Sequence, residues 1–223
     1  MPATGRLAKA RSDRTRPSPG IRLIRAALQS EGGNPPGADS AVGALLRALA
    51  FAADKHRDQR RKGAGAPPFI NHAIEVAALL NRVARVEDPI TLQAAVLHDT
   101  LEDTDVTFAE LVHEFGSPVA QVVREVSDEN GLSRSERKRR QIEAAPHLSE
   151  RAGLVRIADK IANVRAITFG PPIDWSLERR LDYLHWTKQV VGGCRGYNDP
   201  LDALYDESLQ EGLRIVTLEA AGK

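Results

Sequence analysis

Asp88-Pro89-Ile90-Thr91-Leu92-Gln93-Ala94-Ala95-Val96-Leu97-His98-Asp99-Thr100-Leu101-Glu102-Asp103-Thr104 is the stretch on which the reading of this chain turns. Aspartate is a preferred helix N-cap, and proline fits the first helical position because its missing N–H would be unpaired there anyway. An apolar run, Ala94 to Leu97, leads into an imidazole and three carboxylates between His98 and Asp103. Positions three and four apart share a helix face. A continuous helix therefore brings Asp99 near Glu102 and Asp103, and His98 near Glu102. Four ionisable groups on a helix that must also be buried are costly unless a metal ion or a substrate compensates them.

The rest of the chain is read outward from there. Its 223 residues suit one well-buried domain. With 31 basic and 30 acidic residues, no overall field points to nucleic acid or to an acidic membrane. The lone Cys194 excludes an intramolecular disulfide and fits a reducing, cytoplasmic setting. No apolar run approaches the ~18 residues of a membrane-spanning helix. Alanine, leucine, arginine and glutamate abound while aromatics are scarce, which favours helices over sheets.

Residues 1–39 read as a basic tail, with Arg6, Lys9, Arg11, Arg14, Arg16, Arg22 and Arg25 against only Asp13, Glu31 and Asp39. Prolines and glycines break its periodicity, apart from one short amphipathic run at Ile21–Leu28. A disordered extension is the plain reading; an organelle transit peptide is the alternative.

Helical periodicity begins at Ser40 and runs to about Arg57, where a basic, Gly/Pro-rich loop follows from Gln59 to Pro68. A second helix starts at Asn71-His72, and a third runs from Pro89 through the 98–103 cluster. Thr107 with Glu110 and Ser133 with Glu136 read as capping boxes, and Gly116 as a stop. Ser117-Pro118 starts a helix broken at Gly131. Leu154 to Ile167 and Leu177 to Trp186 form two more, parted by Gly170-Pro171-Pro172, and Asp199-Pro200 caps the last. No segment alternates with period two long enough for a strand. The expectation is an all-α, non-bundle domain of about eight to ten helices over residues 40–218, with a short tail at 219–223.

His72, His98, Asp99 and Asp159 could form a metal site. Two imidazoles and two carboxylates suit Mn²⁺, Fe²⁺ or Zn²⁺, and the absence of thiolates sets the group apart from a structural zinc finger. A bare His-Asp pair is weak by itself; the apolar helix before it and the second histidine strengthen it. Asp159-Lys160 reads either as a surface pair or as a partly buried carboxylate, because Leu154, Val155, Ile157, Ala158, Ile161 and Ala162 leave little solvated face. The cations Arg134 to Arg140 read mainly as a solvated face, although Arg134 and Lys138, one turn apart, could together hold an anionic group.

An ordered set of segments resembles the HD-superfamily hydrolases of the Rel/Spo type, most of all the stand-alone small alarmone hydrolases. The segments are Lys55-His56-Arg57 through Lys62, Phe69-Ile70-Asn71-His72, Leu97 to Asp105, Glu136 to Arg139, Ala145-Pro146-His147, Ala158-Asp159-Lys160, Asn163-Val164-Arg165, and Trp175 to Tyr183. They span about residues 41–215. The resemblance implies an all-α HD fold and one Mn²⁺ on His72, His98, Asp99 and Asp159. It implies hydrolysis of the guanosine alarmones ppGpp and pppGpp, with loss of the 3′ pyrophosphate to give GDP or GTP. Glu102 and Asp103 are implied to assist catalysis, and Arg61, Lys62, Arg134, Asn163, Arg179 and Tyr183 to touch the substrate. Phe69 stands where relatives often carry tyrosine, Arg134 where they carry lysine, and the loop 63–68 offers the nucleotide no charged or hydroxyl side chain. With no room for a synthetase domain, hydrolysis without synthesis is expected, by a monomer or homodimer that engages neither nucleic acid nor membrane. A related nucleotide phosphatase, such as one taking the 2′-phosphate from NADPH, needs the same metal site, and a non-catalytic nucleotide sensor is the third reading.

Overall fold

The computed structural model describes residues 40–222 except Ala64 and Asn130; the basic tail lies outside the described residues. The helices are α1 (Ala41–Lys55), α2 (Ile70–Arg82), α3 (Pro89–Leu97), α4 (Thr100–Asp103), α5 (Phe108–Phe115), α6 (Ser117–Val126), α7 (Arg134–Ala144), α8 (Glu150–Phe169), α9 (Leu177–Cys194) and α10 (Asp199–Ala221). A 3₁₀ turn, Ala145–His147, joins α7 to the segment before α8. Among the described residues there is no strand, only one isolated bridge between Arg60 and Pro68. None of the described helices is long and apolar enough to cross a membrane.

Two helices are buried over most of their length and so are enclosed by their neighbours. One is α3, in which every residue from Thr91 to Leu97 is buried. It packs on α1, α2 and α6. The other is α8, which packs on α10, α2, α9, α6 and α3. Its Leu154, Val155, Ile157, Ala158, Ile161, Ala162 and Val164 join the single core cluster. Fully burying a Leu or Ile side chain stabilises by roughly 1.5–3 kcal/mol, so these two helices are held by packing on all sides. Rigidity there matters because the end of α3 and the middle of α8 carry ionisable residues described below.

Several boundaries differ from the sequence-based expectation. The first helix ends at Lys55, two residues early, and α6 ends at Val126, well before Gly131. The last helix is capped by Asn198, whose side chain accepts from Leu201 N at 3.0 Å, while Asp199 is its first residue. Thr107 and Ser133 each accept one backbone N–H, from Glu110 and Glu136. The glutamates do not close reciprocal boxes: Glu110 pairs with Lys55, and Glu136 with Arg139 and Arg140. α10 runs to Ala221, past the expected boundary at 218.

The largest departure lies in the opening stretch. The helix does not continue through 98–103; it stops at Leu97, turns at His98 and Asp99, and resumes as the single turn α4. Side chains take over the carbonyls that the helical ladder would use. His98 Nδ1 donates to Ala95 O (2.8 Å), Thr100 Oγ1 to Leu97 O (2.6 Å) and Thr104 Oγ1 to Thr100 O (2.6 Å). Such local bonds compete with helix propagation.

Candidate metal centre and adjoining cavity

Three elements deliver four ligand-type side chains to one buried point. α2 presents His72 from its first turn, the turn after α3 presents His98 and Asp99, and the middle of α8 presents Asp159. His72 Nε2 lies 3.1 Å from Asp159 Oδ1 and 3.7 Å from Asp99 Oδ2. His98 Nε2 lies 3.1 Å from Asp99 Oδ2 and 3.7 Å from Asp159 Oδ1. The ligand atoms of His72, His98 and Asp159 all fall within 4.8 Å of one another, and Asp99 joins through its contacts with both imidazoles.

The site carries a signature of a missing positive charge. Because His98 Nδ1 is bonded to Ala95 O, a neutral imidazole has its bare nitrogen at Nε2. That atom is buried and has no hydrogen-bond partner, since Asp99 Oδ2 is close but outside bonding geometry. A bare nitrogen lone pair facing two carboxylates is repulsive unless a cation or a proton sits between them. In the metal-free protein a proton serves. Burial disfavours the His98 cation, yet Asp99 and Asp159 outweigh it and hold the imidazole pKa well above its usual value. Burial also pushes Asp99 up, but the His98 charge beside it brings it down to about 2. Asp159 behaves alike, with Lys160 the largest influence opposing burial, and stays well below the ordinary carboxylate range. The donor set, two imidazoles and two ionised carboxylates, fits a divalent cation.

The Asp159-Lys160 pair is not on the surface. Lys160 Nζ is buried, donates to Asp159 Oδ2 at 3.0 Å and lies 4.7 Å from the centre of the Trp186 ring. Asn163 Nδ2 donates to Asp159 Oδ1 (2.6 Å), and Arg61 in turn donates to Asn163 Oδ1 (2.9 Å). That chain leads from the ligand cluster into a cavity of about 450 Å³. Arg61, Lys62, Asn163 and Tyr183 line it, together with Asp103, Gln59, Phe69, Pro172 and Trp175. Burial raises the Tyr183 phenol far above its usual pKa, so it stays a hydroxyl donor.

The loop bearing Arg61 and Lys62 is held rather than loose. Phe69 N donates to Gln59 O and Arg61 N to Pro67 O, and Gln59 Nε2 donates to Asp103 O (2.5 Å). A Cβ on Gly63 would meet Gly170 O at 2.8 Å, so glycine there lets the loop lie against the end of α8. Arg134, Lys138 and Arg179 are not in the cavity wall. They sit beside its aromatic side, with Arg134 5.6 Å and Arg179 4.3 Å from the Trp175 ring, and Lys138 5.9 Å from that of Tyr183. The remaining cations of α7 behave as a solvated face, Arg139 pairing with Glu136 and Glu143, and Arg140 with Glu136 and Glu129.

Glu102 and Asp103 part company. Asp103 faces the large cavity, whereas Glu102 borders a small one of about 60 Å³ with Asp128 and Arg137. Glu102 Oε1 accepts from Asp128 N at 2.6 Å. Burial, then the Asp128 and Asp99 charges, raise its pKa to about 7. Burial and Asp99 also raise that of Asp103. Sequence reasoning missed Trp175 and Gln59 as cavity residues and Lys160 as the partner of Asp159. Only Lys160 had a usable signal, its apolar flanks; the others become neighbours through folding alone.

Residues 48–180 match the model of the HD domain. The chain is 48% identical over 172 residues to the Homo sapiens guanosine-3′,5′-bis(diphosphate) 3′-pyrophosphohydrolase MESH1, covering 77% of this chain and 96% of that protein. The Danio rerio MESH1 is 45% identical over 172 residues, covering 77% and 93%. A solved structure, described as a metazoan ortholog of SpoT that hydrolyses ppGpp and plays a role in starvation responses, is 41% identical. It covers 80% of this chain and 98% of its own, with a TM-score of 0.74. A match of this extent, along nearly the whole of such relatives, means that the chain belongs to the HD-domain family, in the group that contains MESH1.

Proposed function

We propose that this protein is a Mn²⁺-dependent hydrolase that removes the 3′ pyrophosphate from guanosine 3′,5′-bis-pyrophosphate and its pentaphosphate relative, leaving GDP or GTP. The observation that carries this reading is the junction of two features: a buried His72–His98–Asp99–Asp159 cluster of ligand-type groups, and a cation-lined cavity beside it. The activity named for the similar MESH1 proteins supports it.

His72, His98, Asp99 and Asp159 would hold the cation. A divalent ion there supplies Lewis acidity and makes water a nucleophile near neutral pH. Arg61 and Lys62 bind the nucleotide from the loop, Arg61 by its planar guanidinium and Lys62 as a point charge. Arg134 and Lys138, on one face of α7, would offset the charge of the pyrophosphate group under attack. Water oxygen adds to the phosphorus bonded to O3′, the P–O3′ bond breaks, and a proton passes from the water to the ribose oxygen. Glu102, with a pKa of about 7, is matched to taking and returning that proton at neutral pH. Asp103 faces the cavity and orients the reacting groups. A cytoplasmic setting accords with a nucleotide substrate and with the buried, unpaired Cys194.

The test is incubation of the purified protein with ppGpp and Mn²⁺, followed by chromatography, with NADPH as a parallel substrate. GDP and pyrophosphate in equal amounts are expected. Release of orthophosphate from NADPH with ppGpp untouched would replace this reading by that of a 2′-phosphatase.

A further inference from the structure

Glu102 is held by a backbone donor whose own position depends on a side chain from another helix. The carboxylate accepts from Asp128 N (2.6 Å), in the segment that follows α6. The Asp128 carboxylate is gripped by Gln141 of α7, whose Nε2 donates to Oδ1 at 2.8 Å and to Oδ2 at 2.9 Å. Gln141 Oε1 accepts in turn from the buried Arg156 of α8 (3.2 Å), and Arg156 also donates to Val126 O at 2.7 Å, closing the frame around the end of α6. Each polar atom of the Gln141 amide thus has a partner, and the amide orientation follows from them: only Nε2 can donate to Asp128, and only Oε1 can accept from Arg156. None of these three side chains lines the large cavity or joins the ligand cluster.

We infer that Gln141 is a positioning residue for catalysis: through Asp128 it sets where Glu102 stands. The inference rests on the proposed role of Glu102 as the proton-handling carboxylate. Its consequence is mechanical. Helix α7 carries Arg134 and Lys138 on one side and Gln141 two turns beyond Arg134, so one rigid element ties the pyrophosphate grip to the group that moves the proton. Displacement of α7 therefore disturbs both at once. Positioning groups one step behind the reacting ones typically contribute 10–100-fold, because misplacement of the order of an ångström is enough to slow a reaction.

The experiment compares Gln141→Leu, Gln141→Glu and the swap Gln141→Glu with Asp128→Asn, each assayed with ppGpp and Mn²⁺ beside the wild type. Leucine removes the bonds at nearly constant volume. Glutamate alone sets two carboxylates against each other. In the swap, the carboxylate introduced at position 141 accepts from both Arg156 and the amide introduced at position 128, restoring the frame with donor and acceptor exchanged. For Gln141→Leu, kcat should fall roughly 10–100-fold, with KM within about threefold and Mn²⁺ affinity by calorimetry unchanged. Amide exchange at Asp128 should quicken in the metal-free protein. Gln141→Glu should be as slow or slower, and the swap should recover most of kcat. Wild-type kcat in folded Gln141→Leu, or a swap no faster than Gln141→Glu, overturns the inference. If Gln141→Leu does not fold, the contrast between Gln141→Glu and the swap decides. A wild type without turnover counts instead against the proposed function, and the exchange measurement at Asp128 still reports on the frame.

Discussion

At the scale of single residues, His98 shows how a neighbour decides chemistry. Its bond to Ala95 O occupies Nδ1, so Nε2 alone faces Asp99 and Asp159. Removing Asp99 deletes a ligand and leaves two imidazoles and one carboxylate. Asp99→Ala should therefore abolish detectable Mn²⁺ binding in calorimetry and pyrophosphate release together; a variant that keeps both would refute the ligand set. Glu102 separates binding from chemistry. Glu102→Gln should keep Mn²⁺ affinity within a few-fold while kcat drops roughly 10²–10⁴. The same carboxyl makes a pH prediction for the chelated protein. Its pKa rises from 4.5 to about 7 on folding, so the folded state holds the proton more tightly than the unfolded one. The associated stability is fully present below pH 4.5 and is lost as pH rises through 7. For this partly exposed group the loss is about 2–3 kcal/mol. Wild type should thus lose melting temperature between about pH 4.5 and 7 relative to Glu102→Gln; equal slopes for the two would show that Glu102 is not perturbed.

Among the elements, α3 and α8 carry the site because both are enclosed and cannot shift without opening the core. The break after Leu97 falls at His98 and Asp99, the two consecutive residues that both reach the ligand cluster. Nothing in the composition of His98-Asp99-Thr100 announces that break, because it depends on where three side chains find carbonyl partners. Close approach of α9 to the 3₁₀ turn after α7 provides a second test. A Cβ on Gly193 would lie 2.8 Å from Ala145 Cβ and 3.1 Å from Pro146 Cδ, atoms with no rotamer to retreat into. Gly193→Ala should destabilise by about 1–3 kcal/mol. A melting temperature equal to that of the wild type would mean that the two elements have room to part.

Across the whole molecule, an ion at the cluster staples α2, the turn after α3, and α8. At a free concentration one hundred times its Kd, a ligand bound only by the folded state adds about 2.7 kcal/mol, or about 5–10 °C for a domain of this size. Chelation should lower the melting temperature by that amount yet leave the helical circular dichroism unchanged, since the helices are held to one another by an extensive apolar core. Loss of helix on chelation would instead make the ion part of the fold.

Periodicity and caps, which are relations between residues a few positions apart, were enough to read an all-helical domain and to place Asp88, Thr107 and Ser133 at helix starts. The residue types and the resemblance they carry were enough to name His72, His98, Asp99 and Asp159 as a set. What waited for the tertiary structure was every relation between distant positions. His72 and Asp159 meet across 87 residues, Arg61 and Asn163 across 102, and Glu102 and Asp128 across 26. The tertiary structure also decided between the two readings of Asp159-Lys160 by burying both residues, and divided Glu102 from Asp103 between two cavities. The reason is physical. Helix propensity and capping act through bonds within one turn and are written in consecutive letters. Burial, pKa and ligand geometry arise from the summed field and packing of several helices, and those exist only once the helices have closed on one another.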